Sequence, residues 1–491
     1  MLQGTDGAAV IHFRPVFFVI GILLTTLAVV MVLPAVVDAA AGSRDWTVFI
    51  SSAGVTLFIG VALMIANWAP RLDIEVREAF LATTLAWIVA SAAGALPMAF
   101  SQMHLSFTDA FFEAMAGITT TNATTIVGLS SAPPGILLWR ALLQMLGGAG
   151  FMVMAVVVLP FLKIGGMQLF HMESSRGPDR AMPRAAAVAA GIIVIYLAFI
   201  ALDATLLWIS GMTGFDAVCH ALATLSTGGF STYGDSIGHF KSLPIEIITT
   251  VFMLLGGMPF VLYLQLARGR PERLFRDSQV RAFLALYVGT VLALTLWQWR
   301  TGGETLAQAF RAVSFTVAST MTTTGFVTAD YQSWGGFGAA VILFLTVVGA
   351  CTGSTAGGIK IYRLEILYAT AKAQIRRIIQ PHGLFEPYYA GKPIPDPVAS
   401  SVMGFFFLFA LTFAVLSLGL AATGLDFLTS VSGVASAMAN LGPGLGSTIG
   451  PTGDFGGLPE SAKWLLSLGM LLGRLELYAA LVLTWPEFWR G

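Results

Sequence analysis

Thr322-Thr323-Thr324-Gly325-Phe326 stands where a moderately apolar run, Phe310 to Met321, gives way to a polar, glycine-containing stretch, Val327 to Gly336. Three hydroxyl residues and a glycine do not prolong a helix, because threonine is a poor helix former and glycine a worse one. The stretch suits an extended backbone whose carbonyls face one direction. Three other places repeat the idea: Thr119-Thr120-Thr121-Asn122-Ala123, Ser226-Thr227-Gly228-Gly229-Phe230 and Asn440-Leu441-Gly442-Pro443-Gly444. The four segments are expected to meet around one axis and bind a dehydrated cation.

Around them the composition is that of a membrane protein. Of 491 residues, 56% are hydrophobic and 11% charged, where a soluble domain carries roughly 25% charged residues. Net charge is zero, so only its distribution is informative. Two cysteines, Cys219 and Cys351, give no disulfide framework or zinc spacing, and the six histidines are scattered. The first hydrophobic run, after His12 and Arg14, is too long for a signal-peptide core and is expected to stay as a membrane helix.

Crossing a bilayer takes about 20 mostly apolar residues. Such stretches fall at 15–38, 48–68, 79–100, 136–162, 186–210, 244–267, 281–299, 337–371 (broken), 398–422 and 461–485. Four weaker segments, 107–118, 214–225, 305–321 and 426–438, are too short or too polar to cross and read as re-entrant half-helices. Each leads into one of the threonine/glycine stretches. After the first two helices the order is therefore span, half-helix, polar loop, span, four times. Asn122, Gly229, Gly325 and Gly442 are equivalent positions, separated by 107, 96 and 117 residues, and a period near 100 signals similar units. An even number of spans per unit makes the repeats parallel.

The fold class expected is an all-α polytopic membrane protein, with four parallel helix–pore loop–helix repeats around a central pore and two N-terminal transmembrane helices. The divisions are 1–70 for those two helices, then 71–165, 166–270, 271–378 and 379–491 for the repeats. The third repeat has a broken second helix and an intramembrane loop. Asp109, Asp216 and Asp426 fall near the starts of half-helices, where an acid satisfies unpaired N–H groups and complements the helix dipole.

Charge sets the orientation. Arg71 and Arg77; Lys163, Arg176, Arg180 and Arg184; Arg268, Arg270, Arg273, Arg276 and Arg281; and Lys372, Arg376, Arg377 and Lys392 occupy alternate connections. The other connections hold only Arg44, Lys241, Arg300 and Lys463. The positive-inside rule places the basic connections and both termini in the cytoplasm. The half-helices then all enter from the outer face.

Non-helical backbone at membrane depth is tolerated only where it is buried in protein or lines a wet cavity. Backbone carbonyls there can replace the water shell of an ion. Half-helices running inward would point C-terminal ends, each equivalent to about half a negative charge, at the centre. No ring of Asp or Glu lies in the loops, which favours a monovalent over a divalent cation. A second polar run, Gly349 to Gly358, interrupts the eighth span and ends near Lys360 and Arg363. It reads as a mobile barrier beneath the loops. Arg474 lies inside the last span, where a charge costs about 2.5–3.5 kcal/mol on insertion scales. It is expected to face the carbonyls of the broken segment or the cavity, and not to pair with Glu476, two residues on and off its helix face. Asp203, Glu113, Arg140, His220 and Cys219 are expected to be packing groups, with no chain of acids for a proton relay.

The sequence resembles the TrkH potassium-uptake subunits of the TrkH/TrkG/KtrB/HKT superfamily. The resemblance rests on Ser226 to Thr232, Thr322 to Tyr331, Gly353-Ser354-Thr355-Ala356-Gly357-Gly358-Ile359-Lys360, Asn440 to Gly446 with Gly450-Pro451, Lys463-Trp464-Leu465-Leu466, and Leu472-Gly473-Arg474-Leu475-Glu476. It implies one K⁺ filter per chain, contacted by Thr120, Thr121, Thr227, Gly228, Thr323, Thr324, Asn440 and Leu441, with Gly229, Gly325 and Gly442 beside them. It also implies a gate at Gly353, Ser354, Thr355, Gly357, Gly358, Lys360 and Arg474. The implied setting is a multi-pass homodimer in a bacterial cytoplasmic membrane, joined by a TrkA-type cytosolic ring of nucleotide-binding RCK domains. K⁺ is the transported ion; no covalent cofactor and no nucleic acid are expected. Where the family's first loop reads Thr-Thr-Thr-Gly, this chain has Asn122. Asparagine tolerates the left-handed conformation best among non-glycine residues, so the backbone path is expected to persist with weaker K⁺/Na⁺ discrimination.

The functional expectation is channel-like potassium uptake, with a K⁺ symporter coupled to H⁺ or Na⁺ as the alternative. An enzyme is disfavoured: Gly353 to Lys360 lacks the Gly-Lys-Ser/Thr ending of a phosphate loop.

Overall fold

The computed structural model describes residues 11–69, 75–154 and 181–490, the side chains of 181–185 excepted. Arg71, Lys163, Arg176 and Arg180, the Arg184 side chain, the far end of the span expected to reach 162 and the division expected after 165 lie outside the described residues.

Among the described residues seven helices are long and apolar enough to cross a bilayer singly: Phe13–Ala40, Trp46–Ala66, Val76–Ala99, Pro134–Val153, Ala186–Ile209, Ser278–Thr301 and Asp396–Ala422. The chain is a multi-pass membrane protein, mostly helical over the described residues. The first two helices cross closely at Gly21 and Gly60, where an added Cβ on either would press into the other's backbone. They are tied to the rest by hydrogen bonds from Gly135 N to Asp38 Oδ1 (2.7 Å) and from His12 N to Glu78 Oε1 (2.8 Å).

Two spans expected to be continuous are bent. Leu243–Gly256 meets Phe260–Ala267 at 96°, because Pro259 has no N–H to continue the helix and Gly257 caps it. Glu460–Arg474 meets Tyr478–Thr484 at 109° with neither glycine nor proline at the break. Instead Glu476 and Leu477 both take positive φ, 59° and 58°. Leu477 N reaches Leu472 O (3.0 Å) and Tyr478 N reaches Glu476 O (2.6 Å), a helix stop followed by a strained γ-turn. The eighth span is divided into Gly335–Val347 and Ile361–Ile379.

The four short helices are Phe107–Ile118, Gly214–Leu225, Leu306–Met321 and Phe427–Ala439. Their starts share one chemistry. Ser106, Thr213 and Thr305 are N-caps whose hydroxyls accept from the backbone N–H of Asp109 (3.1 Å), Asp216 (3.1 Å) and Gln308 (3.3 Å). The same hydroxyls donate back to the side chains of those residues. Asp109 and Asp216 are thus partners of the cap, three residues in, whereas Asp426 is itself the N-cap of the fourth helix.

Candidate functional site

The four short helices end alike. Thr120, Thr227, Thr323 and Asn440 occupy the left-handed region, with φ of 56°, 51°, 54° and 57°. Each donates its N–H to the carbonyl three residues back: Gly117 (3.0 Å), Thr224 (3.0 Å), Thr320 (3.0 Å) and Ala437 (3.1 Å). The next residue donates to the carbonyl five back: Thr121 to Ala116 (2.7 Å), Gly228 to Ala223 (2.8 Å), Thr324 to Ser319 (2.9 Å) and Leu441 to Ser436 (2.9 Å). This is the Schellman stop, ordinarily made with glycine. A side chain in the left-handed region costs roughly 1–2 kcal/mol, and three of these four residues are β-branched. Strain repeated at four equivalent places marks a functional site.

Beyond these turns the loops stand side by side in chain order. An added Cβ on Gly229 would strike the Thr324 carbonyl oxygen, one on Gly325 the Leu441 carbonyl oxygen, and one on Gly442 the backbone of Asn122. The first and fourth loops also meet through Asn122 N to Leu441 O (3.3 Å) and Asn440 Nδ2 to Thr121 Oγ1 (3.1 Å). The second loop is held to the Pro134–Val153 helix by Gln144, whose Nε2 donates to Gly228 O (2.7 Å) and whose Oε1 accepts from Phe230 N (3.0 Å). Arg140 adds Ser231 O (2.9 Å) while pairing with buried Glu113 (2.7 Å). Glu113 in turn accepts from Thr125 N (2.7 Å). His220 bridges Asp216 O and Ser231 Oγ.

Asn122 departs from the expected geometry. Its backbone does not take positive φ, whereas Gly229, Gly325 and Gly442 do. Its side chain reaches instead across the ring: Nδ2 donates to Gly325 O (2.7 Å) in the third loop. Loops one and three face each other in a ring of four, so this amide spans the centre.

The interrupted span supplies a strap against the inner ends of the loops. Its base is closed by Gly349 N to Ile359 O (2.8 Å) and Ile359 N to Val347 O (2.9 Å). Gly353 and Gly358 take positive φ within it. Gly357 N donates to Thr323 Oγ1 (2.7 Å), and Thr355 Oγ1 donates to Leu225 O (3.0 Å) and Gly256 O (3.1 Å). Gly257 O accepts from Cys351 N (3.1 Å), so the bend before Pro259 makes room for the strap. Arg474 Nη1 donates to Thr355 O (3.0 Å) and Nη2 to Gly147 O (3.3 Å), its guanidinium 4.1 Å from the Phe151 ring. Lys360 turns back onto Ala356 O, and Ser354 onto Cys351 O. Glu476 pairs with Arg363, both buried.

All twelve loop residues singled out in the sequence therefore gather at one centre, with the six strap residues beside it and Arg474 reaching the strap from the Glu460–Arg474 helix. Three residues carry more than the sequence suggested. Gln144 is a lone amide in an apolar span, which is the signal that could have found it. The Arg363–Glu476 pair is separated by 113 positions and has no local signature.

The TrkH family, described as cation transport proteins, matches residues 47–489. The Trk system potassium uptake protein TrkI of Halomonas elongata is 41% identical over 480 residues, covering 98% of this chain and 97% of that protein. The Trk system potassium uptake protein TrkH of Escherichia coli K12 is 37% identical over 489 residues, covering 98% and 100%. The crystal structure of the potassium transporter TrkH from Vibrio parahaemolyticus superposes with a TM-score of 0.90 at 36% identity, over 98% of this chain and 100% of that one.

Proposed function

The chain belongs to the TrkH family of cation transport proteins, and we propose that it takes up potassium through the centre of its four loops by a channel-like mechanism. The observation that carries this reading is the fourfold Schellman stop, which turns four helix C-termini and the following carbonyls toward one place. Carbonyl oxygens there replace ion hydration, and the helix ends add negative potential without a fixed carboxylate. The selectivity ligands are Thr120, Thr121, Thr227, Gly228, Thr323, Thr324, Asn440 and Leu441, with Asn122, Gly229, Gly325 and Gly442 at the outer level.

The strap from Gly349 to Lys360 is the closed gate, and Arg474 holds it through the Thr355 carbonyl. Conduction requires the strap to leave Thr323, Leu225 and Arg474. The force comes from a TrkA-type cytosolic ring that binds nucleotide, acting on a homodimer in a bacterial inner membrane with both termini cytoplasmic. Each of the four repeats, 71–165, 166–270, 271–378 and 379–491, supplies one quarter of the pathway.

A symporter coupled to H⁺ or Na⁺ is the second reading. The observation favouring it is Asp203, fully buried in the Ala181–Ile209 helix with neither carboxylate oxygen hydrogen-bonded among the described residues. Radiolabelled K⁺ and Na⁺ flux into liposomes, with and without the cytosolic ring and nucleotide, tests the proposal. K⁺ uptake that rises with ring and nucleotide at zero pH gradient supports the channel. Uptake that requires a proton or sodium gradient at fixed K⁺ sinks it in favour of the symporter.

A further inference from the structure

A cavity lies away from the loops, on the face that the basic connections assign to the cytoplasm. It is a cleft of about 370 Å³ between the Ile361–Ile379 helix, the segment Phe385 to Ala390 and Ser278. That volume lies within the range of small-molecule sites. Small residues open it: Ala369 and Ala373, one turn apart on the helix, line it where longer side chains would fill it. The far wall is fixed. Tyr388 and Tyr389 pair antiparallel with Pro393 and Lys392, and Arg377 donates to Phe385 O (2.8 Å).

The lining is dipolar. At one end is Glu365, touched by Ser278 Oγ only at 3.4 Å, with Asp277 and Arg281 nearby; the three charges leave one net negative. Further along the helix are Lys372 and Arg376, on the same helix face one turn apart, with Glu386 also in the lining; these three leave one net positive. Glu365 and Lys372 are seven residues apart, roughly 10 Å at 1.5 Å per residue. Aromatic rings stand between: Tyr368, Phe385, Tyr388 and Tyr389. Lys372 already lies 5.9 Å from the Tyr368 ring centre.

Within the lining itself the two acids, Glu365 and Glu386, balance the two bases, Lys372 and Arg376, so a polyanion meets two carboxylates and a simple cation meets two bases. A molecule carrying both signs satisfies both ends. Its ammonium would sit on the Glu365 carboxylate and the tyrosine faces, as organic cations do on aromatic rings. Its phosphate or carboxylate would sit on Lys372 and Arg376, the fork of Arg376 matching an oxyanion's two oxygens.

We propose that this cleft binds a zwitterion, an ammonium group joined to a phosphate or carboxylate. Two sources offer that chemistry: a soluble zwitterion, or the headgroup of a phosphatidylethanolamine from the adjoining leaflet. Occupancy of the cleft is read by binding and not by transport.

Isothermal titration of the full chain in phosphatidylglycerol nanodiscs tests it, with phosphocholine, phosphoethanolamine, inorganic phosphate and tetramethylammonium as probes. Saturable binding of a zwitterion at one per chain is expected, at least tenfold tighter than either phosphate or tetramethylammonium alone. The exposed double substitution Lys372→Ala/Arg376→Ala and, separately, Glu365→Gln are each expected to weaken it at least tenfold, with the thermal midpoint unchanged in the double variant. Repeating the titration in discs containing phosphatidylethanolamine separates the sources. Loss of soluble-ligand binding there assigns the lipid headgroup, and retention assigns a soluble zwitterion. Absence of saturable binding in phosphatidylglycerol discs overturns the proposal. So does a zwitterion no tighter than its separate halves, or binding unchanged by both sets of substitutions.

Discussion

Asn122 places an amide where the second, third and fourth loops place a glycine, and that amide occupies the Gly325 carbonyl. A carbonyl engaged by an N–H is a poorer ligand for a bare ion, and the ring loses symmetry at that level. Asn122→Gly is expected to release Gly325 O and raise the K⁺/Na⁺ flux ratio several-fold; an unchanged sodium permeability in liposomes would remove Asn122 from the selectivity account. Arg474 holds the strap by the Thr355 carbonyl across 119 positions of sequence. Arg474→Ala is expected to raise basal K⁺ flux without the cytosolic ring, and unchanged flux would reduce it to a structural hydrogen-bond donor. Asp203 separates the two transport readings. Asp203→Asn keeps the shape of the side chain and removes its capacity to carry a proton, so under the channel reading the pH profile of K⁺ uptake stays as it is. A profile flattened by that substitution would make Asp203 a proton carrier.

At the level of elements, the half-helices were legible because both ends are written locally. Ser106, Thr213, Thr305 and Asp426 are hydroxyl or acid caps, and a Thr/Gly stretch stops each helix 12–16 residues later. What the letters did not show is which residue turns left-handed. The glycines drew attention, but the helix stops fall two positions earlier, on Thr120, Thr227, Thr323 and Asn440, where threonine propensity argues against that conformation. Tertiary packing at a shared centre overrides it. The bend at Gly257 to Pro259 was present in the sequence and masked by the hydropathy of its flanks. The break at Glu476 and Leu477 had no letter to announce it, since it depends on the Arg363–Glu476 pair and the loops above. The strap offers a direct test of packing. A Cβ on Gly357 would strike the Ala439 carbonyl oxygen, so Gly357→Ala is expected to push the strap off the fourth loop and produce a K⁺ leak. A well-expressed variant with wild-type basal flux would show that the strap does not seal against that loop.

Across the whole molecule, the four loops close on one another, first to fourth, through Asn122 N and Leu441 O. The strap follows the third loop, and the bent final span that carries Arg474 follows the fourth. An approximately fourfold centre with a one-sided gate fits passive conduction under external control better than a rocking carrier, whose halves would have to part around the site. The ring of loop contacts, braced by Gln144 and by the buried Arg140–Glu113 pair, resists such parting. Breaking a buried pair of that kind by removing one partner costs about 3–5 kcal/mol. The most direct test of conduction through the carbonyl ring is the reversal potential of the open protein, with its cytosolic ring and nucleotide, in a planar bilayer. With K⁺ as the sole permeant cation in both chambers, the account predicts a shift of about 59 mV for each tenfold change in K⁺ gradient, unaffected by a pH gradient. A reversal potential that moves with pH at fixed K⁺ would contradict it.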